Sequence, residues 1–129
     1  MCPVVEILPY GLGGQASPPP FTTRLSVCGP EDLFSAASAM ERNALIYAFG
    51  QATVVCHARF RVGGTWHGAT DALRRRLGPV LVPSDGEPAH RALIALGAIP
   101  FGDPSELPAL LNSSLDGLEF RSPAVLPGF

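Results

Sequence analysis

A chain of 129 residues, 47% hydrophobic and 16% charged, has room for one domain around one core and argues against two. A formal net charge of −2 excludes a surface that is basic everywhere, so any nucleic-acid contact has to come from a local patch. The three cysteines, Cys2, Cys28 and Cys56, are odd in number, far apart and form no Cys-x-x-Cys, which indicates neither a disulfide framework nor a zinc site and fits a reducing compartment. The opening MCPVVEILPY lacks the basic stretch and the apolar length of a signal peptide, and no later run approaches a membrane span, so a cytoplasmic location is the default.

Val4 to Leu8 is a short apolar run closed by Pro9 and Gly11, which reads as a parallel strand buried on both faces. The chain starts almost inside this strand, so elements that would precede it are expected to be missing. Gly11 to Pro20 is a loop by composition, and its three consecutive prolines allow only an extended path. Gly11-Leu12-Gly13-Gly14 could be mistaken for a phosphate loop, but no helical pattern follows it. Arg24 to Cys28 reads as a second, weaker strand ended by Gly29-Pro30.

Ser38-Ala39-Met40-Glu41 fits a capping box, which predicts a helix from Ser38 to Phe49 with Gly50 as its left-handed stop. Arg42 and Asn43 then fall in or just after the first turn, where a guanidinium and an amide add side-chain donors to free backbone donors. The plainer reading of both is as exposed surface residues. Thr53 to His57 is the central strand, and it leads through Arg59 and Arg61 to Gly63-Gly64-Thr65, with Thr65 as a plausible N-cap. A strand, a small-residue loop and a helix start form a place to hold an anion, because glycines let the backbone approach closely and the first helical amides lack partners. Trp66, Ala69, Leu73 and Leu77 recur at helical spacing, which makes Trp66 a core residue rather than a platform for stacking bases. His57 and His67 flank the loop, and neither has a carboxylate at a spacing that would orient it.

From Phe49 to Leu81 five arginines (Arg59, Arg61, Arg74, Arg75, Arg76) face a single acid, Asp71. They form either a local basic patch or, for Arg74 to Arg76, the solvated last turn of a helix, where cations suit the dipole. Pro79 to Pro83 is a short buried strand. Ser84-Asp85-Gly86 turns into a helix from Glu87 to Leu96, with Pro88 near its first position and Gly97 after its end. Ala98 to Phe101 is the last strand, and Asp103-Pro104-Ser105-Glu106 caps a short helix weakened by Pro108. From Asn112 onward no periodic pattern is visible, so the domain is expected to span 1–111 with a loosely ordered tail over 112–129.

Strands alternating with helices predict an α/β fold: a Rossmann-like, three-layer parallel sheet with helices on both faces, present here as a partial domain. Ligands of such sheets sit beyond the carboxyl ends of the strands, so Arg42, Asn43, Gly63, Gly64, Thr65 and Ser84 are expected to converge there. The segments FSAASAMERNALIYAF, ATVVCHARFRVGGTWHGATDALRR and PVLVPSDGEPAHRALIALGAIPF, with ILPYGL before them, resemble the DNA-processing protein A (DprA/Smf) family in order and spacing over Val4 to Pro104. That resemblance implies a non-catalytic domain that binds single-stranded DNA or a nucleotide and passes DNA to a recombinase during natural transformation. This chain departs from the family pattern in starting after its Gly/Ser-rich phosphate loop, and His90 to Ile94 lacks its asparagine. An uncovered edge on the Val4 strand predicts a homodimer through that edge or instability as a monomer.

Two other functions compete. Nucleotide phosphoribohydrolases of the cytokinin-activating type, with a lysine-decarboxylase-like fold, also place Gly-Gly and Thr before a helix. There a glutamate three residues after the threonine does chemistry, and here that position is Gly68. The other is a degenerate half-domain with a structural or partner-binding role. No cofactor and no metal are implied.

Overall fold

The computed structural model describes residues 2–117, with side-chain surroundings given as far as Ser113. It is a mixed α/β protein with parallel strands: β1 (Val4–Ile7), β2 (Thr22–Leu25), α1 (Ala36–Phe49), β3 (Thr53–Val54), α2 (Gly63–Arg75), β4 (Val80–Pro83), α3 (Pro88–Ala95), β5 (Ile99–Phe101), a 3-10 turn (Pro104–Glu106) and α4 (Leu107–Gly117). The strands form two sheets, a β1-β2 pair and a β3-β4-β5 sheet in sequential order, all parallel.

The three-stranded sheet carries the closed core. Parallel strands need crossovers, and α2 and α3 supply them. Val80 and Val82 point to one face of β4 and join a single apolar cluster with Ala69 and Ala72 of α2 and Ala89 and Leu93 of α3. Both helices therefore cover the same face. Leu81, on the other face of β4, is also fully buried.

The β1-β2 pair is built differently. Its crossover is the proline-rich loop from Leu8 to Phe21, which has no helix to lay on the sheet. The strand expected to be buried on both faces accordingly leaves Val4 50% and Val5 57% exposed. The second strand starts two residues earlier and ends three residues earlier than its sequence suggested. Ser26 donates through Oγ to Tyr10 O at 2.8 Å and accepts the Cys28 amide at 3.1 Å, so it draws the chain out of the ladder. In the Gly11 loop, the amides of Gly11 and Gly13 donate to Asp32 O and Pro30 O, both at 2.8 Å. Those donors bind the neighbouring turn.

Helix ends account for the other corrections. α1 begins two residues before Ser38: Ser35 is the N-cap, and Ser38 is its capping-box partner, with each hydroxyl accepting the other residue's amide at 3.0 Å. Ser38 Oγ also donates to Pro9 O at 2.7 Å, which anchors the helix start to the end of the first strand segment. Gly50 closes α1 in an extended conformation (φ −77°, ψ 154°) rather than a left-handed one. α2 starts at Gly63 (φ +85°) with Val62 as N-cap and no side-chain cap, so Thr65 lies inside the first turn and does not cap it. The expected tail start, Asn112 to Gly117, continues α4 from Leu107, although Asn, Ser, Asp and Gly are weak helix formers. The remainder of the tail, 118–129, lies outside the described residues.

Candidate anion-binding site

The first turn of α2 is open to solvent. Gly63, Gly64 and Thr65 are exposed, a Cβ on Gly63 would meet nothing within 4 Å, and no side chain caps the helix. Amides of such a turn have no partner within the helix and carry the positive end of its dipole. Arg59 and Arg61 precede it on the loop and are exposed as well.

α1 supplies a directed donor beside this turn. Because α1 starts at Ala36, Arg42 and Asn43 sit in its second turn, away from its own free amides. Arg42 donates through Nε to Asn43 Oδ1 at 3.0 Å. That bond identifies the carbonyl end of the carboxamide and leaves the Nδ2 donor on the side of α2. Nδ2 lies 3.9 Å from the position a Cβ would take on Gly64 and 3.5 Å from that on Gly68. Glycine at 68 thus lets α1 and α2 approach with Asn43 and Tyr47 packed against it. Burial pushes the Tyr47 phenol above its usual range.

Arg42 has a second engagement: its Nη1 donates to Ile7 O at 3.3 Å. Val4 and Leu8 direct their amides to β2, so alternation turns Ile7 to the free side of β1, and the guanidinium covers an outward carbonyl there. Between β1 and α1 an open cleft of about 470 Å³ is lined by Val5, Ile7, Tyr10, Gln15, Arg24 and Arg42. Arg24 is paired to Glu6 at 2.8 Å across the two strands.

The structure therefore brings Arg42, Asn43 and Gly64 together, with Gly63 and Thr65 in the same helical turn. Ser84 belongs to another group of contacts. Its Oγ and amide both donate to Phe101 O, at 3.1 and 2.9 Å, which closes the end of β4 onto β5.

Two features of this region escaped the sequence reading. Phe60, 45% exposed, packs edge-on against Trp66 with ring centroids 5.1 Å apart, and the Arg61 guanidinium lies 5.0 Å over its face. No periodicity marks Phe60, because it sits on a loop. His90 was seen only as a helix residue, yet it is 1% exposed and joins two loops: Ala58 N–H donates to its Nε2 at 3.0 Å, and its Nδ1 meets Asp85 Oδ1 at 2.8 Å. The Asp85-x-x-x-x-His90 spacing across a turn and a Pro-initiated helix was the available signal. This bond from His90 is the main reason the Asp85 carboxyl is held below the ordinary carboxylate value.

All three cysteines are free, no group of three or more His, Cys, Asp or Glu among the described residues could hold a metal, and no helix among them is long and apolar enough to cross a membrane. Fold and site together define a small mixed α/β protein with an open helix start flanked by arginines. The chain matches no protein-family model, no curated protein and no solved structure. The likeness to the DNA-processing family rests on the quoted residues.

Proposed function

We propose that this chain is a non-catalytic binding module of a Rossmann-like, three-layer kind, which holds phosphate groups of single-stranded DNA or of a nucleotide at the first turn of α2. The observation that carries the reading is the fixed orientation of Asn43: Arg42 occupies its carbonyl, so its amide donor stands beside an uncapped, glycine-opened helix start. An anion there would meet backbone amides, the Asn43 Nδ2 and the field of Arg59 and Arg61. Exposed Phe60, in edge contact with Trp66 and with Arg61 over its ring, supplies an aromatic and cationic surface, which suits unpaired bases and their phosphates. Ser84, with its hydroxyl committed to Phe101, has no direct part in the contact. Roles in natural transformation and with a recombinase belong to the reading through the resemblance alone, and a cytoplasmic location is proposed with them.

The phosphoribohydrolase reading is disfavoured by Gly68, where a Cβ would already stand in contact with Asn43 and Tyr47 and where no carboxylate is present to activate water. Pairing of two copies through β1 also belongs to the proposal. It is supported by the free Val5 edge and by exposed Val4, Val5, Phe21 and Leu25.

The test is fluorescence anisotropy of a labelled oligothymidylate at two salt concentrations. Binding is expected to weaken with salt and to fall about tenfold in Asn43→Asp, which keeps the shape but sets a negative charge against the phosphate. Binding equal in the wild type and Asn43→Asp, with both folded by circular dichroism, would refute the site. Light scattering on the wild type is expected to report a dimer, and a monodisperse monomer at high concentration would exclude pairing through β1.

A further inference from the structure

His90 lies at the start of α3, buried, between the turn that follows β4 and the loop that leads from β3 to α2. Its two ring nitrogens have different partners. Nε2 accepts the Ala58 amide, so it carries no proton, and Nδ1 must then carry the proton it shares with Asp85 Oδ1. The neutral Nδ1–H tautomer is the one form in which both bonds exist. Ala58 is itself buried, and without the imidazole its amide would have no partner inside the protein.

We infer that His90, oriented by Asp85, is the positioning residue of the β3–α2 loop, and that it holds the anion-binding turn at Gly63 to Thr65 in place through the Ala58 amide. The part concerning the anion rests on the proposed function; the tie between His90 and Ala58 does not. Ala58 stands five residues before Gly63, and between them only the Arg59–Val62 bridge orders the loop backbone. Fixing Ala58 therefore fixes where that bridge, and the helix start after it, can lie.

A proton on Nε2 would set a donor against the Ala58 donor, so only the bare Nε2 can hold the loop. The titratable groups that meet the ring are Asp85 and, edge-on at 5.6 Å between centroids, His57. The other charged or titratable groups of the packed elements, Cys56, Arg59 and Arg61 on the loop, His67, Arg74 and Arg75 on α2, and Glu87 and Arg91 on α3, are exposed, and Asp71 on α2 is half-buried.

The test is nuclear magnetic resonance of the full, 15N-labelled chain, with the wild type beside Asp85→Ala and His90→Phe. At neutral pH the wild-type His90 ring is expected to show a protonated Nδ1 and a bare Nε2. Amide exchange at Ala58 is expected to be about tenfold faster in either variant, with amides of β4 unchanged in Asp85→Ala. A proton on Nε2 at neutral pH overturns the inference, as does an Ala58 amide whose shift and exchange are the same in the wild type and Asp85→Ala. The exposed Asp85 site keeps the test open if His90→Phe does not fold. Titration with oligothymidylate separates the two claims. If the wild type binds none, the anion site fails while the ring and Ala58 signals still decide the positioning role. Wild-type binding that Asp85→Ala leaves unchanged overturns the link between them.

Discussion

The two sheets of this protein are held by different forces. In the β3-β4-β5 half, Val80, Val82, Ala69, Ala72 and Leu93 are sealed against one another, and removal of apolar area from water stabilises the arrangement. In the β1-β2 half, four exposed apolar residues (Val4, Val5, Phe21, Leu25) flank a pair of strands tied mainly by polar links. Arg24 bonds Glu6 and Ala16 O, Ser26 bonds Tyr10 O, Ser38 bonds Pro9 O and Arg42 bonds Ile7 O. Such links contribute about 0.5 to 1.5 kcal/mol each, whereas burying one leucine contributes about 1.5 to 3 kcal/mol. The difference teaches where the molecule opens first: a two-stranded sheet without a covered face is marginal, so the first half is expected to lean on the second through α1. α1 is the shared element, bonded to β1 by Arg42 and packed on α2 through Tyr47 and Gly68.

Three experiments would break or sharpen this contrast. Leu93→Ala should have the largest effect, a loss of about 2 to 5 kcal/mol, because the side chain is wholly enclosed by the cluster. Denaturant unfolding should show both halves lost in one transition. Gly11→Ala comes next, at about 1 to 3 kcal/mol, since its Cβ would collide with the backbone oxygens of Gly29 and Pro30. Hydrogen exchange should place that loss in β1 and β2 while β4 keeps its protection, and equal loss in both would show that the halves unfold as one.

The smallest effect is expected from acid. The carboxyls of Asp85, bonded by His90, and Asp103, bonded by Ser105, are held below their ordinary value of 3.8. Groups lowered on folding contribute stability that is complete above that value and is lost as the pH falls through the depressed one. A melting temperature followed from neutral pH to pH 3 should therefore decline only at the acid end. Asp85→Asn and Asp103→Asn should flatten that decline.

Much of the second half was legible in the residues. Val80-Leu81-Val82 between prolines, the apolar spacing of Ala89, Ala92, Leu93 and Leu96 after Pro88, and the Asp103 to Glu106 cap each correspond to an element within about two residues, the usual uncertainty of element ends, although Leu96, expected on the buried face, is 44% exposed. Local pattern suffices there because β-α-β succession and burial agree. The first half was less legible. Val4 to Leu8 has the composition of a buried parallel strand, but burial depends on what covers it, and the proline-rich crossover covers nothing. The Ser38 capping box competed with Ser35, and the choice fell to the helix start that lets Ser38 also reach Pro9 O.

Composition and periodicity by themselves thus determined that the chain is α/β with parallel strands, and that the Trp66, Ala69, Leu73 and Leu77 stripe faces inward, since both follow from side chains close together in sequence. Which polar groups meet was decided only by tertiary structure. Asn43 beside Gly64, Ser84 turned to Phe101, and His90 between Ala58 and Asp85 are pairings set by how helices and loops pack, and directional bonds form only where packing brings donor and acceptor within reach.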